Sequence, residues 1–123
     1  MHRFELRATG YQTIMDVPFL SGCFMALRVD ALRRIGLFDE RFFMYAEDAD
    51  LTRRMAGSYR TTYFPEASVT HDHAMESYRN YRMLWIHIES IILYFNKWGW
   101  LFDPVRKQIN IKTLDQFKDK YDR

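Results

Sequence analysis

Gly36-Leu37-Phe38-Asp39-Glu40-Arg41-Phe42-Phe43-Met44-Tyr45-Ala46-Glu47-Asp48-Ala49-Asp50-Leu51 interleaves aromatic and acidic side chains between two helical signals. It opens at a glycine able to stop a helix and closes where a new amphipathic helix begins. The aromatic side chains Phe38, Phe42, Phe43 and Tyr45 stand among the carboxylates Asp39, Glu40, Glu47, Asp48 and Asp50. Aromatic walls exclude water and favour a protonated carboxyl, whereas a helix N-terminus favours the ionised form. Opposed pulls of this kind suit a group that takes up a proton and releases it. The same carboxylates also suit an ordinary first helical turn, where acidic side chains are common without catalysis.

Outward from this stretch, the spacing predicts a helix from about Glu47 to Ala56, stopped by Gly57. Asp48, Leu51 and Met55 share one of its faces, so Asp48 is anchored by core residues. Asp50 lies on another face, in reach of Arg53 and Arg54. Asp48-Ala49-Asp50 spells D-x-D, but on a helix the two carboxylates stand roughly 200° apart and diverge. A metal reading of that pair is rejected. Upstream, Val29–Ile35 reads as a short helix with Leu32 and Ile35 inward, Arg33 and Arg34 outward, and Gly36 as its stop. Phe19–Arg28 is a short apolar run and reads as a buried strand. Within it, Gly22 marks either a close approach by another backbone or ligand, or a β-bulge. Residues 1–16 read as a strand remnant or loop.

Downstream, Arg60–Val69 is strand-like, broken at Pro65, and leads to His71-Asp72-His73. The two histidines would point to one side of an extended segment, a weak metal signal against the alternative of hydrogen-bonded structural histidines. Ser77 suits the N-cap of a long helix to Trp98, closed by Gly99. Tyr81, Leu84, Trp85, Ile88, Ile91, Ile92 and Phe95 form its apolar stripe and are expected to face the core. His87 is expected to be structural, and Arg79 and Arg82 to form a solvated margin. The aromatic run Trp98–Phe102 is expected to pack in the core. A last helix is expected from Thr113, where Thr113-Leu114-Asp115-Gln116 fits a capping box, with Leu114, Phe117 and Tyr121 buried.

The 123 residues suffice for one small domain, and 48% apolar with 17% aromatic content describes a globular chain. A net charge of +2 gives no footprint for nucleic acid, so no nucleic-acid partner is expected. Cys23 has no second cysteine to pair with and is expected as a small buried hydrophobe; a reducing, cytoplasmic setting is compatible. Met1–Gly10 carries His2, Arg3, Glu5 and Arg7 and lacks the apolar core of a signal peptide. Met83–Phe95 is interrupted by His87, Glu89 and Ser90, too short an apolar run to cross a bilayer.

Gly36–Leu51, followed by Arg53, resembles the second half of family 2 glycosyltransferases, in particular the bacterial rhamnosyltransferase-like enzymes of polysaccharide biosynthesis. Their pattern G-x-F-D-E-x-F-F-x-Y-x-E-D-x-D-L is matched nearly letter for letter. Val17–Arg28 resembles the strand before it, and Tyr63–His71 is similar to their closing P-E-A-x-V-x-H segment. The resemblance implies an α/β fold, a partial GT-A-like nucleotide-diphospho-sugar transferase architecture with few strands and a long C-terminal amphipathic helix. Residues 1–76 would be the C-terminal half of the catalytic domain and 77–123 a helical extension packed on it. It implies Asp48 as the general base, Glu47 as the residue orienting the acceptor, Gly22, Tyr45 and Arg53 in substrate binding, and His71 in contact with metal or the leaving diphosphate.

The donor-side features of that family, an opening βαβ unit and a strand-end D-x-D, are not found in this sequence. The resemblance is therefore to an acceptor-side half that would carry the base without the donor site. In a complete enzyme a divalent metal, Mn or Mg, is expected, with none bound by this chain alone. The expected partners are a nucleotide-diphospho-sugar, a glycan or lipid-linked acceptor, and a separate N-terminal half or a second copy in a homo-oligomer. Peripheral contact with the inner face of the membrane is a further expectation. The alternative is a non-catalytic folding and association module.

Overall fold

The computed structural model describes residues 6–72 and 80–118. Four α-helices and one two-stranded sheet form among the described residues: α1 Val29–Ile35, α2 Glu47–Ala56, α3 Tyr81–Trp98 and α4 Pro104–Asp115, with β1 Met15–Asp16 and β2 Thr62–Tyr63. The strands pair antiparallel, with Met15 opposite Tyr63 and Asp16 opposite Thr62.

The sheet is short because side chains soon replace the ladder. Val17 N–H donates to the Thr61 carbonyl at 2.8 Å, and the Thr61 hydroxyl returns a bond to the Val17 carbonyl. On the other side of β1, the Gln116 amide accepts from Asp16 N–H at 3.0 Å and donates to the Asp16 carbonyl at 3.2 Å. One side chain thus stands where a third strand would pair, which blunts an open edge. Leu6, Met15, Val17 and Phe117 form the core cluster below, with Leu20, Tyr63 and Leu114 packed on it. Residues from both ends of the described chain therefore close over the sheet.

α1 and α2 form where the spacing placed them. Gly36 ends α1 at φ 89°, a left-handed conformation that a side chain rarely adopts, and its N–H donates to the Leu32 carbonyl. Leu32 and Ile35 are half-buried, Arg33 and Arg34 exposed, and Ala31 is the most buried residue of the helix.

Other expectations are corrected. Phe19–Arg28 is not a strand: its backbone is irregular, and Phe19 and Phe24 are exposed. A strand needs a neighbouring ladder. Here Leu20 bonds instead with the Thr52 hydroxyl, and Gly22 with Asp48. Cys23, expected inside, is exposed on this same segment. Of Arg60–Val69 only Thr62–Tyr63 is strand, and Val69 is exposed.

α3 starts at Tyr81, where the Asn80 side chain accepts from Arg82 N–H at 2.9 Å. Ser77, His73 and Arg79 lie outside the described residues, as does Tyr121. α4 starts nine residues before Thr113, because Asp103-Pro104 is itself a start signal: Asp103 caps Arg106 N–H at 2.9 Å and proline takes the first turn. The Thr113–Gln116 box falls in the last turn of α4, where the Gln116 amide donates back to the Thr113 carbonyl.

The largest correction concerns which face of α3 is inside. The stripe of Tyr81, Leu84, Trp85, Ile88, Ile91 and Ile92 is exposed, and Phe95 half-buried at its edge. Ser90 is the buried residue of the helix, flanked by half-buried Ile86, His87, Leu93, Tyr94, Lys97 and Trp98. The cause is polar. Asp39, Asp50 and the Met44 carbonyl on the 36–56 segment take donors from Lys97, Trp98 and Ser90 on this side of α3. Trp100 and Phe102, expected in the core, are also exposed.

Candidate functional site

The Gly36–Leu51 stretch is held by a buried charge network. Asp50 is fully buried and accepts from Arg54 Nε at 2.9 Å, Lys97 Nζ at 2.8 Å and Trp98 Nε1 at 2.8 Å. Arg54 then donates to the carbonyls of Ile35, Gly36 and Leu37, at 3.0, 3.0 and 2.7 Å. Lys97 also reaches Asp39 Oδ2 at 2.8 Å, and Arg41 holds the same carboxylate at 2.7 Å. The Arg41 hydrogen bonds first, and Lys97 second, hold the Asp39 carboxyl well below the usual carboxylate range. One cation of α3 thus joins the start of the stretch to its end.

The backbone leading into α2 is strained. Tyr45 and Ala46 both adopt left-handed conformations, at φ 67° and 62°. Two such non-glycine residues in succession persist only where the surroundings hold them, and they cluster at functional sites. α3 does the holding. The Ser90 hydroxyl donates to the Met44 carbonyl at 2.6 Å, and the Tyr45 ring stacks on His87 with centroids 4.4 Å apart. The turn delivers Glu47 and Asp48 to the first turn of α2.

Asp48 meets Gly22 there. Its Oδ2 accepts from Gly22 N–H at 2.8 Å and its Oδ1 from Ala49 N–H at 2.7 Å. A Cβ at position 22 would stand 3.3 Å from Asp48 Cβ, so glycine is what lets the backbone come this close. The sequence predicts another backbone, a ligand or a β-bulge at Gly22; the neighbour is instead a carboxylate side chain. Both Asp48 oxygens are oriented by main-chain donors. Glu47 lies beside it, half-buried, and its Oε2 is a buried acceptor with no hydrogen-bond partner. Asp48 is thus a carboxylate held in place by main-chain donors, and a fixed carboxylate is what general-base chemistry on an alcohol uses.

Of the other residues singled out, Tyr45 belongs to this corner, whereas Arg53 points away from it. Both Arg53 Nη atoms are bound to Asp103, at 2.6 and 2.5 Å, and the guanidinium lies 4.2 Å from the Trp98 ring centroid. Burial pulls the Arg53 guanidinium down, but the bonds to Asp103 and Tyr94 outweigh it and hold it charged. Arg53 in turn holds the Asp103 carboxyl below its ordinary range. His71 is exposed in the irregular segment after β2.

Among the described residues, the carboxylates of the Asp48-Ala49-Asp50 pair are taken up by protein donors. Asp48 is engaged by Gly22 and Ala49, Asp50 by three cationic or N–H donors on a different side of α2, and no group of three His, Cys, Asp or Glu side chains gathers among the described residues.

The expected Asp50–Arg54 pair forms, whereas Arg53 pairs with Asp103 rather than Asp50; the sequence reading gives no such role to Ser90, Lys97, Trp98 or Asp103. A signal for the α3 set was present, since His87, Ser90, Tyr94 and Lys97 recur at helical spacing opposite the apolar stripe.

No family model matches the chain, and no solved structure matches it. Two curated proteins do, each 40% identical over 65 residues, or 52% of this chain: the N-acetylglucosaminyl-diphospho-decaprenol L-rhamnosyltransferases of Mycobacterium tuberculosis strains CDC 1551 / Oshkosh and ATCC 25618 / H37Rv. The match spans 21% of the length of those relatives. Over about half of its length, then, the chain is similar to a rhamnosyltransferase.

Proposed function

We propose that this chain is the acceptor-side part of an inverting glycosyltransferase, which moves a sugar from a nucleotide-diphospho-sugar to a glycan or lipid-linked acceptor. Asp48 is the general base, and Glu47 orients the acceptor. The hydroxyl oxygen attacks the anomeric carbon as its proton passes to the Asp48 carboxylate, and the nucleoside diphosphate leaves. The observation that carries the reading is the carboxylate corner itself. A strained turn, a glycine that admits close approach, and an orphaned acceptor converge on the two residues that the family pattern singles out.

Similarity to the mycobacterial enzymes supports a rhamnosyl donor and a polyprenyl-diphosphate-linked sugar as acceptor. Gly22 and Tyr45 shape the acceptor side. Arg53 contributes through the fold, by fixing α4 against α2. The donor diphosphate and its divalent ion would be held by the donor-side part of such an enzyme, where His71 could reach the leaving group.

The test is a complete enzyme containing residues 17–73 of this chain. Asp48→Asn keeps the shape and removes basicity, so transfer should fall by about 10²-fold or more while donor binding is retained. Near-normal turnover of that variant would remove Asp48 from the role.

A further inference from the structure

We infer that the outer face of α3, together with Trp100–Phe102, is a docking surface for an anionic lipid bilayer. The patch begins at Tyr81, which is 84% exposed, and runs through Trp85, Ile88 and Ile92. Trp100 continues it: its ring stacks on Phe95 at 5.1 Å, and its N–H donates to Asn96 at 2.9 Å. Phe102, 90% exposed, follows. Aromatic side chains carry roughly 150–250 Å² each, so Tyr81, Trp85, Trp100 and Phe102 alone leave on the order of 500 Å² of mostly apolar surface in water. With the aliphatic residues between them the patch exceeds what soluble monomers commonly leave uncovered.

Two properties select a bilayer over a second copy of the chain. The first is composition. Tryptophan and tyrosine with leucine and isoleucine on one helical face match helices that lie in the plane of the membrane interface. The second is charge. Arg82 is exposed at the N-terminal margin of the patch, and Arg106 and Lys107 share a hollow with Leu101 and Phe102 at the other end. Arg106 lies 3.8 Å from Asp103, but that carboxylate is already matched by Arg53. Glu89 is the one acidic residue of α3. An antiparallel pairing of two α3 helices would set Arg82 of each copy against Arg106 and Lys107 of the other, and a parallel pairing would set like ends together. An anionic surface attracts both ends at once. No helix among the described residues is long and apolar enough to cross a membrane, so the contact is in-plane.

A cavity of about 340 Å³ lies beside α2 and α3, lined among others by Phe19, Ala49, Arg53, Tyr94, Phe95 and Arg106. The lipid contact does not depend on the proposed sugar transfer.

The experiment is co-sedimentation of the purified chain with vesicles of phosphatidylcholine alone, and with about a third phosphatidylglycerol, at about 0.1 M salt. Binding is expected to the anionic vesicles and to be lost at about 1 M salt. A Trp85→Ser/Trp100→Ser variant should bind at least about tenfold more weakly. Arg82→Glu/Lys107→Glu should lose the preference for anionic lipid, and Leu37→Ser, a substitution at an exposed site outside the patch, should bind as the parent does. Circular dichroism checks that each variant is folded. Absence of binding by the folded parent, or undiminished binding by the folded tryptophan variant, overturns the inference. So does a dimer in light scattering that the tryptophan variant dissociates while vesicles stay unbound, which would give the face to a second copy. No donor sugar is present, so failure here is separable from failure of the transfer reading.

Discussion

α2 and α3 are both amphipathic, yet they resolve their two faces in opposite ways. α2 buries Asp50 and Arg53 along with Leu51 and Met55. α3 turns Ser90, Lys97 and Trp98 toward the protein and leaves Trp85, Ile88 and Ile92 outside. The difference teaches that apolar area alone does not orient a helix. Leaving a buried carboxylate without donors costs several kcal/mol, as much as or more than exposing an isoleucine or two. Asp39, Asp50 and the Met44 carbonyl all find their donors on one side of α3. The apolar stripe is then left over, free for another use.

The largest expected effect comes from breaking the buried ion pair that fixes α4 against α2. Asp103→Ala strands the Arg53 guanidinium and uncaps α4, and should cost about 3–5 kcal/mol in urea unfolding. That is on the order of 10 °C or more in melting temperature for a chain of this size. Replacing Arg53 and Asp103 together by Met and Leu should recover most of the loss, because an apolar pair leaves no charge unmatched. If the single variant were as stable as the parent, the Arg53–Asp103 pair would not be what fixes α4 against α2.

A smaller effect follows from acid. Asp39 and Asp103 both have folded-state values depressed below the unfolded one, by Arg41 and Arg53 respectively as the leading causes. A depressed carboxyl contributes stability that is present above its unfolded value, near 4, and is lost as pH falls from there toward the folded value. Urea midpoints should therefore drop below about pH 4. Asp39→Asn should be weaker at pH 7 and lose less on acidification, and a slope unchanged from the parent would remove Asp39 from the network.

Much of the candidate site was legible because it is local. Gly36 as a stop and α2 from Glu47 to Ala56 follow from chain chemistry within a few residues. The orientation of α3 was not, because it is decided by partners some 40 to 60 positions away: Ser90 with Met44, and Lys97 with Asp39. Phe19–Arg28 was misread for a related reason. Its residues are apolar as a strand's would be, but its hydrogen bonds go to Thr52 and Asp48, side chains that spacing alone did not place beside it. The start of α4 was within reach, since Asp103-Pro104 is a plain cap, and the later capping box drew the reading away from it.

The central claim, that the polar side of α3 faces in and its apolar stripe faces out, is tested most directly by tryptophan accessibility. Two single-tryptophan chains suffice, one keeping Trp85 (Trp98→Phe/Trp100→Phe) and one keeping Trp98 (Trp85→Phe/Trp100→Phe), each quenched with acrylamide and iodide in lipid-free buffer. Trp85, 64% exposed, should emit as a solvated indole and be quenched readily, and Trp98, covered by Arg53 and bonded to Asp50, should be protected. Protection of Trp85 with ready quenching of Trp98 would contradict the orientation, and with it the placing of the carboxylate corner.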